Sequence, residues 1–143
     1  MEKDTLIIMP AFNEEASIGP FLDKLLASDA MQYADILVIN DSSSDKTAQI
    51  IKEKGISYLS HPYNLGYGTA LQSGYKYAVK KGYQYVIQID SDGQHDVSNI
   101  DMIYQCLKGA PDGKQAPDMV IGSRFLEGSV SFPISGIKKL AIY

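Results

Sequence analysis

Short, uninterrupted apolar runs alternate with amphipathic segments along this chain, and that alternation constrains the fold more than any other feature. Thr5-Leu6-Ile7-Ile8-Met9 is the first run, continuous as a strand buried on both faces requires. Ile36 to Ile39, Ile56 to Leu59, Tyr85 to Ile89 and Met119-Val120-Ile121 repeat the pattern. The segments between them have helical spacing. Ile18, Leu22, Leu25 and Leu26 share one face, with Ser17 as N-cap and Pro20 tolerated in the first turn. The turn Ser42-Ser43-Ser44-Asp45 caps a second helix running toward Lys54, and Gly55 suits the position after its end. A third helix runs from Thr69 to Lys81 and stops at Gly82; its Ala70, Gly74 and Ala78 form a small-residue stripe for close packing on a sheet. Ser98 caps a fourth, whose Ile100, Ile103, Tyr104 and Leu107 face inward with Cys106 on or beside that face. Ala110 to Pro117 is a polar linker. Such alternation predicts an α/β domain with a doubly wound, mostly parallel sheet.

Ligands of such sheets bind beyond the carboxyl ends of the strands, near the switch in strand order. The polar residues of this chain collect there. Pro10 ends the first run, and Ala11-Phe12-Asn13-Glu14-Glu15 forms a loop. Asn40-Asp41 follow the second run, and His61 to Gly68 form a loop with glycines at alternate positions, including Asn64. Asp90 and Asp92 follow the fourth run and Arg124 the fifth.

The fourth exit, Val86-Ile87-Gln88-Ile89-Asp90-Ser91-Asp92-Gly93-Gln94-His95-Asp96, is the most informative. Two acids at i and i+2 repel each other unless something positive lies between them. A hard divalent cation, Mg²⁺ or Mn²⁺, takes oxygen ligands and keeps positions open for phosphate. Gly93 lets the chain turn beneath such an ion, and Gln94 or His95 can add a ligand or an outer contact. A solvated turn is the plainer alternative, because Asp-Gly is a common turn dipeptide. An EF-hand loop needs glycine sixth and glutamate twelfth; here the glycine is fourth from Asp90 and Asp101 falls twelfth. An aspartyl phosphatase run, apolar strand then Asp-x-Asp-Gly, also fits the letters.

The chain has 143 residues, room for one domain with a real core. Its net charge is −4 and its few Lys and Arg are scattered, so nothing points to nucleic acid. The single Cys106 excludes an internal disulfide and suits a reducing compartment. The N-terminus lacks a signal-peptide core, and no apolar run approaches the roughly 20 residues of a membrane span. A cytoplasmic protein is expected.

Taken together the motifs resemble the inverting family-2 glycosyltransferases of the GT-A fold. Met9-Pro10-Ala11-Phe12-Asn13-Glu14-Glu15 is similar to that family's opening nucleotide loop, and Asn40-Asp41-Ser42-Ser43-Ser44-Asp45 resembles its Asn-Asp-Gly-Ser-x-Asp segment. Asn64-Leu65-Gly66-Tyr67-Gly68-Thr69-Ala70 matches Asn-x-Gly-x-Gly-x-Ala. Asp90-Ser91-Asp92 is similar to the DxD metal motif with trailing Gly-Gln-His, and Gly122-Ser123-Arg124-Phe125 to the Gly-Ser-Arg-aromatic element. The likeness spans Leu6 to Phe125 in family order, and the Gly-Gln-His extension resembles the dolichyl-phosphate mannose synthase-like branch, where sugar passes to a polyprenyl phosphate in cell-envelope biosynthesis.

The resemblance implies that Pro10, Ala11, Asn13, Glu14 and Asp41 contact the nucleoside of a UDP- or GDP-linked sugar, with Gly68, Asp90 and Ser91 also at the donor. It implies a metal held by Asp90, Asp92 and Gln94, and a reaction centre that includes Asp92 and Arg124. Gly66 and Gly68 let backbone approach the ligand, and Asp45 is read as a helix cap. Three departures stand out: Ser42 for the usual glycine, Ser91 where alanine is common, and Val97 for a frequent proline. The cation would stabilise the departing diphosphate, while an acceptor, a lipid phosphate or a saccharide, attacks from the opposite face. A hydroxyl acceptor needs a general base; a lipid phosphate, already anionic, does not. His95 and Asp96 are the neighbouring candidates, although a histidine beside a metal loop more often makes a supporting contact.

The chain ends at Ile137 to Tyr143 in mid-pattern, without a capping glycine, so a C-terminally truncated protein is expected. Residues 1–128 are read as the donor-binding domain and 129–143 as the start of an acceptor-side segment. In the whole protein that part would reach the inner face of a membrane. Val130 to Ile142 would be loose unless a homodimer covers them. A sugar nucleotidyltransferase would instead show a glycine- and Arg/Lys-rich loop after the first strand, and an aspartyl phosphatase would carry its acidic strand first. A non-catalytic nucleotide-sugar binding module is the serious alternative.

Overall fold

Strand β1 (Thr5–Ala11) is buried along its whole length, and the rest of the sheet is built outward from it. The computed structural model of the protein describes residues 3–92, 97–109 and 116–122. In chain order follow α1 (Ile18–Leu26), a 3-10 turn (Asp29–Gln32), β2 (Ala34–Asn40), α2 (Thr47–Glu53), β3 (Ser57–Ser60), α3 (Tyr67–Lys81), β4 (Tyr85–Gln88) and α4 (Ser98–Lys108). The four strands are parallel in the order β3-β2-β1-β4. Order therefore steps one way through β1, β2 and β3, then reverses to β4. The switch point lies between β1 and β4.

Side-chain alternation along the strands divides the core in two. Ile7, Met9, Ile36, Val38 and Ile87 face Ile18, Leu22 and Leu25 of α1, Ile51 of α2 and Ile100 of α4. Leu6, Ile8, Leu37 and Ile39 face Ala70 and Ala78 of α3 on the other side. Each fully buried aliphatic side chain contributes about 1.5–3 kcal/mol. The small-residue stripe of α3 is as expected: a Cβ on Gly74 would lie 3.1 Å from both Ile8 and Ile39. No helix among the described residues is long and apolar enough to cross a membrane.

Several expectations are corrected. Pro10 does not end β1, which continues through Ala11. Its missing N–H is on the β4 side, where Ile89 N–H donates to Ile8 O (3.1 Å) and the ladder has already ended at Ile8 and Gln88, so no bond is lost. Ser17 occupies the N-cap position of α1 without capping it; its hydroxyl donates to Glu14 Oε2 (2.7 Å) instead. Ser98 is the first residue of α4, with Val97 at the cap position. Helix α3 begins at Tyr67 rather than Thr69, taking in Gly68. Met119-Val120-Ile121 is no strand: Met119 and Ile121 are exposed, and Gly122 lies beside Ile103 of α4. Four described strands, not five, deliver residues to the sheet edge.

Candidate functional site

The loop after β1 and the loop after β2 are laced together by short polar side chains. Asn13 N–H donates to Ser43 Oγ (3.0 Å), Glu14 N–H to Thr47 Oγ1 (2.8 Å) and Glu15 N–H to Asp45 Oδ2 (3.1 Å). In return Ser44 N–H donates to Asn13 Oδ1 (2.9 Å) and Lys46 N–H to Glu15 Oε2 (3.0 Å). Asn13 (φ 54°) and Ser42 (φ 63°) both take left-handed backbone to turn these corners. The glycine expected at position 42 in the related motif is thereby explained, since an L side chain is disfavoured there. Asp45, read as a helix cap, lies one residue before the cap position, which Lys46 occupies; its carboxylate accepts the N–H of Thr47, the first residue of α2, at 2.9 Å.

Asp41 is buried, and its carboxylate organises the next loop. Oδ1 pairs with His61 Nδ1 (2.7 Å) and accepts Leu65 N–H (2.9 Å), while Oδ2 accepts Gly66 N–H (2.8 Å). His61 Nε2 lies 2.9 Å from Ser73 Oγ of α3. Burial alone would raise the Asp41 pKa; the bonds from Leu65, His61 and Gly66 outweigh it and hold the carboxyl below its usual range. The nucleoside contact expected of Asp41 would have to share a carboxylate already serving this loop. Gly66 (φ 89°) supplies the left-handed turn into α3, and Gly68 has nothing within 4 Å of where a Cβ would be.

The β4 exit is tied to both neighbours. Ser91 is buried, and its hydroxyl donates to Pro10 O (3.0 Å). An alanine at this position could not make that tie to β1. Asp90, partly exposed, accepts the Tyr67 hydroxyl at Oδ1 (2.8 Å). Gln88 Nε2 donates to that same phenol oxygen (2.9 Å), and Tyr75 OH donates to Gln88 Oε1 (2.7 Å). Partial burial and the Asp90 carboxylate push the Tyr67 phenol up to about 12. Asp92 is exposed. Gly93, Gln94, His95, Asp96 and Ser123, Arg124 and Phe125 lie outside the described residues.

Two carboxylates at an open edge suit a hard cation held by one or two acids and completed by ligand phosphates. Among the described residues no three acid, His or Cys side chains group so as to hold an ion by themselves. The residues that reading the letters missed are His61, Ser73, Tyr67, Gln88 and Tyr75. Gln88 carried a signal: a polar residue closing an otherwise apolar strand.

Several known proteins are similar to this chain. A dolichyl-phosphate beta-glucosyltransferase of Trichomonas vaginalis is 32% identical over 139 residues, covering 87% of this chain and 40% of that protein. An undecaprenyl-phosphate mannosyltransferase of Micrococcus luteus is 28% identical, covering 91% of this chain and 53% of the relative. The chain thus spans about half, or less, of the relatives it matches. A solved mannosyltransferase of Pyrobaculum calidifontis, in complex with GDP-Man and Mn²⁺, shares the fold: TM-score 0.55 at 18% identity, over 64% of this chain and 28% of that one. The profile of glycosyl transferase family 2 matches residues 6–137, which removes the phosphatase and nucleotidyltransferase readings: the chain belongs to glycosyl transferase family 2.

Proposed function

We propose that this chain is the donor-binding part of a glycosyltransferase that moves a sugar, with inversion, from a nucleoside-diphosphate sugar to a polyprenyl phosphate at the cytoplasmic face of a membrane. The observation that carries the reading is the meeting of the Asp90–Asp92 exit with the β1 loop at the switch point of the sheet, joined through Ser91 and Pro10. Ligands of open α/β sheets bind at that point. The relatives named for dolichyl- and undecaprenyl-phosphate support the acceptor class, and the GDP-Man and Mn²⁺ of the solved mannosyltransferase support the donor class and the metal.

In this reading Pro10, Ala11, Asn13, Glu14 and Asp41 line the nucleoside side, and the open first turn of α3 at Gly68 leaves room for the donor. Asp90 and Asp92, with Gln94, hold Mg²⁺ or Mn²⁺, whose Lewis acidity offsets charge on the diphosphate. Arg124 adds positive charge at the phosphates. An anionic phosphate acceptor needs no proton removed, so the chain need not supply a general base.

Thermal-shift measurements with UDP and GDP, each with and without Mn²⁺, test this. One nucleoside diphosphate is expected to raise the melting temperature only with Mn²⁺, and Asp92→Ala to abolish the shift. A shift indifferent to metal in both proteins sinks the metal assignment. Tight donor binding without transfer or hydrolysis would favour a non-catalytic binding module.

A further inference from the structure

Tyr67 fills an unspecified position between the two glycines of Asn64-Leu65-Gly66-Tyr67-Gly68-Thr69-Ala70, yet its side chain carries α3 to Asp90. Gln88 closes β4, and Val86, two residues earlier, packs on the α3 side of the sheet. Alternation puts Gln88 and Asp90 on that same side, where both meet Tyr67. The direction of the hydrogen bonds is fixed by chemistry. Tyr75 OH donates to Gln88 Oε1, which turns the amide so that Nε2 faces the phenol. Gln88 Nε2 then donates to Tyr67 Oη, and the phenol hydrogen goes on to Asp90 Oδ1.

We infer that Tyr67, oriented by Gln88 and Tyr75, is the positioning residue for Asp90, holding its carboxylate in the orientation a divalent cation requires. This rests on the cation assignment made under Proposed function. A carboxylate past the end of a strand rotates about two single bonds, and a bond to one oxygen selects the rotamer that presents the group to the sheet edge. Outer hydrogen bonds of this kind typically change metal affinity 10- to 100-fold. The linkage also makes α3, through its first residue, part of the acid pair's support.

The test is titration of the chain with Mn²⁺, following free Mn²⁺ by electron paramagnetic resonance, with UDP or GDP as companion ligand. Tyr67→Phe is expected to weaken Mn²⁺ binding about 10-fold, and Gln88→Met, which leaves the phenol in place, by a smaller factor. Both should melt within a few degrees of wild type, a result that separates positioning from folding. In an Asp90→Asn background Tyr67→Phe should change Mn²⁺ affinity no further. Unchanged affinity in Tyr67→Phe, with loss in Asp92→Ala, overturns the role of Tyr67 and leaves the cation site standing. Equal weakening with and without the Asp90 carboxylate overturns it too, since Tyr67 would then act through its loop. Wild-type binding that is absent, or that Asp92→Ala leaves intact, overturns both readings.

Discussion

Ser42 occupies left-handed backbone with φ 63°, immediately after the carboxylate that organises the neighbouring loop. A side chain there costs about 1–2 kcal/mol relative to the right-handed region, while glycine gives back about 0.4–1 kcal/mol through the freedom of the unfolded chain. The backbone relief is the larger of the two. Ser42→Gly is therefore expected to stabilise by about 0.5 kcal/mol, and Ser42→Val, β-branched at the same φ, to destabilise by about 2 kcal/mol. Urea unfolding of the pair measures both. A destabilising Ser42→Gly would mean that the hydroxyl, not the backbone, sets this position. Asp41 stands one residue earlier, and its one buried carboxylate serves two loop amides and a histidine.

Helix α3 is the element on which the site turns, because its packing depth decides where Tyr67 and Ser73 lie. Gly74 sets that depth. A Cβ there would come within 3.1 Å of the Cδ1 methyl groups of Ile8 and Ile39, which are ends of flexible side chains, and of Ile8 Cγ2, which is held at the branch carbon. Gly74→Ala is thus expected to be near neutral, about 1 kcal/mol of helix propensity offsetting the squeeze. Gly74→Leu must lift the helix and is expected to cost about 3 kcal/mol, measured by chemical unfolding. If Leu is tolerated as well as Ala, the stripe does not control the spacing. The stripe was legible as a four-residue period and the parallel sheet as an alternation of strands and helices; the strand order, which places the switch point between β1 and β4, was not. Met119 to Ile121 was misread because an apolar triplet carries no information about whether a strand edge is within reach. The bonds of His61 to Asp41 and of Tyr67 to Asp90 were invisible for a related reason: they join residues 20 and 23 positions apart, and no local period encodes such pairs.

Across the whole molecule, tyrosine–aspartate pairs supply ties that surface ion pairs would supply weakly. Tyr33 donates to Asp101 and joins the 3-10 turn to α4; Tyr104 donates to Asp4 and joins α4 to the entry of β1. Tyr83 donates to Asp35 (2.7 Å) and joins the end of α3 to β2, while Tyr67 joins its start to the β4 exit. Tyr33 and Tyr104 also stack, with ring centroids 3.7 Å apart. A phenol can serve in this way only while protonated, because a phenolate beside a carboxylate repels it. Burial and then the partner carboxylate push Tyr67 and Tyr83 up to about 12 and Tyr33 well above its ordinary range. A pKa raised by folding contributes stability that is complete below the unfolded value, near 10, and is lost as pH climbs through the folded one. Asp4, Asp41 and Asp45 have the opposite sign: held below their usual range, they stabilise above about pH 4 and lose that contribution in acid. Stability should therefore be level with respect to these groups from about pH 5 to 9 and fall on both sides. Ultraviolet titration of tyrosinate gives the sharper check. In urea all ten tyrosines should ionise together near pH 10. In the native chain at pH 11, Tyr33, Tyr67 and Tyr83 should remain protonated and ionise only as the protein unfolds, and Tyr83→Phe should remove one phenol from that protected set. A native titration that superimposes on the urea curve would show that these hydroxyls do not hold the aspartates to which they point.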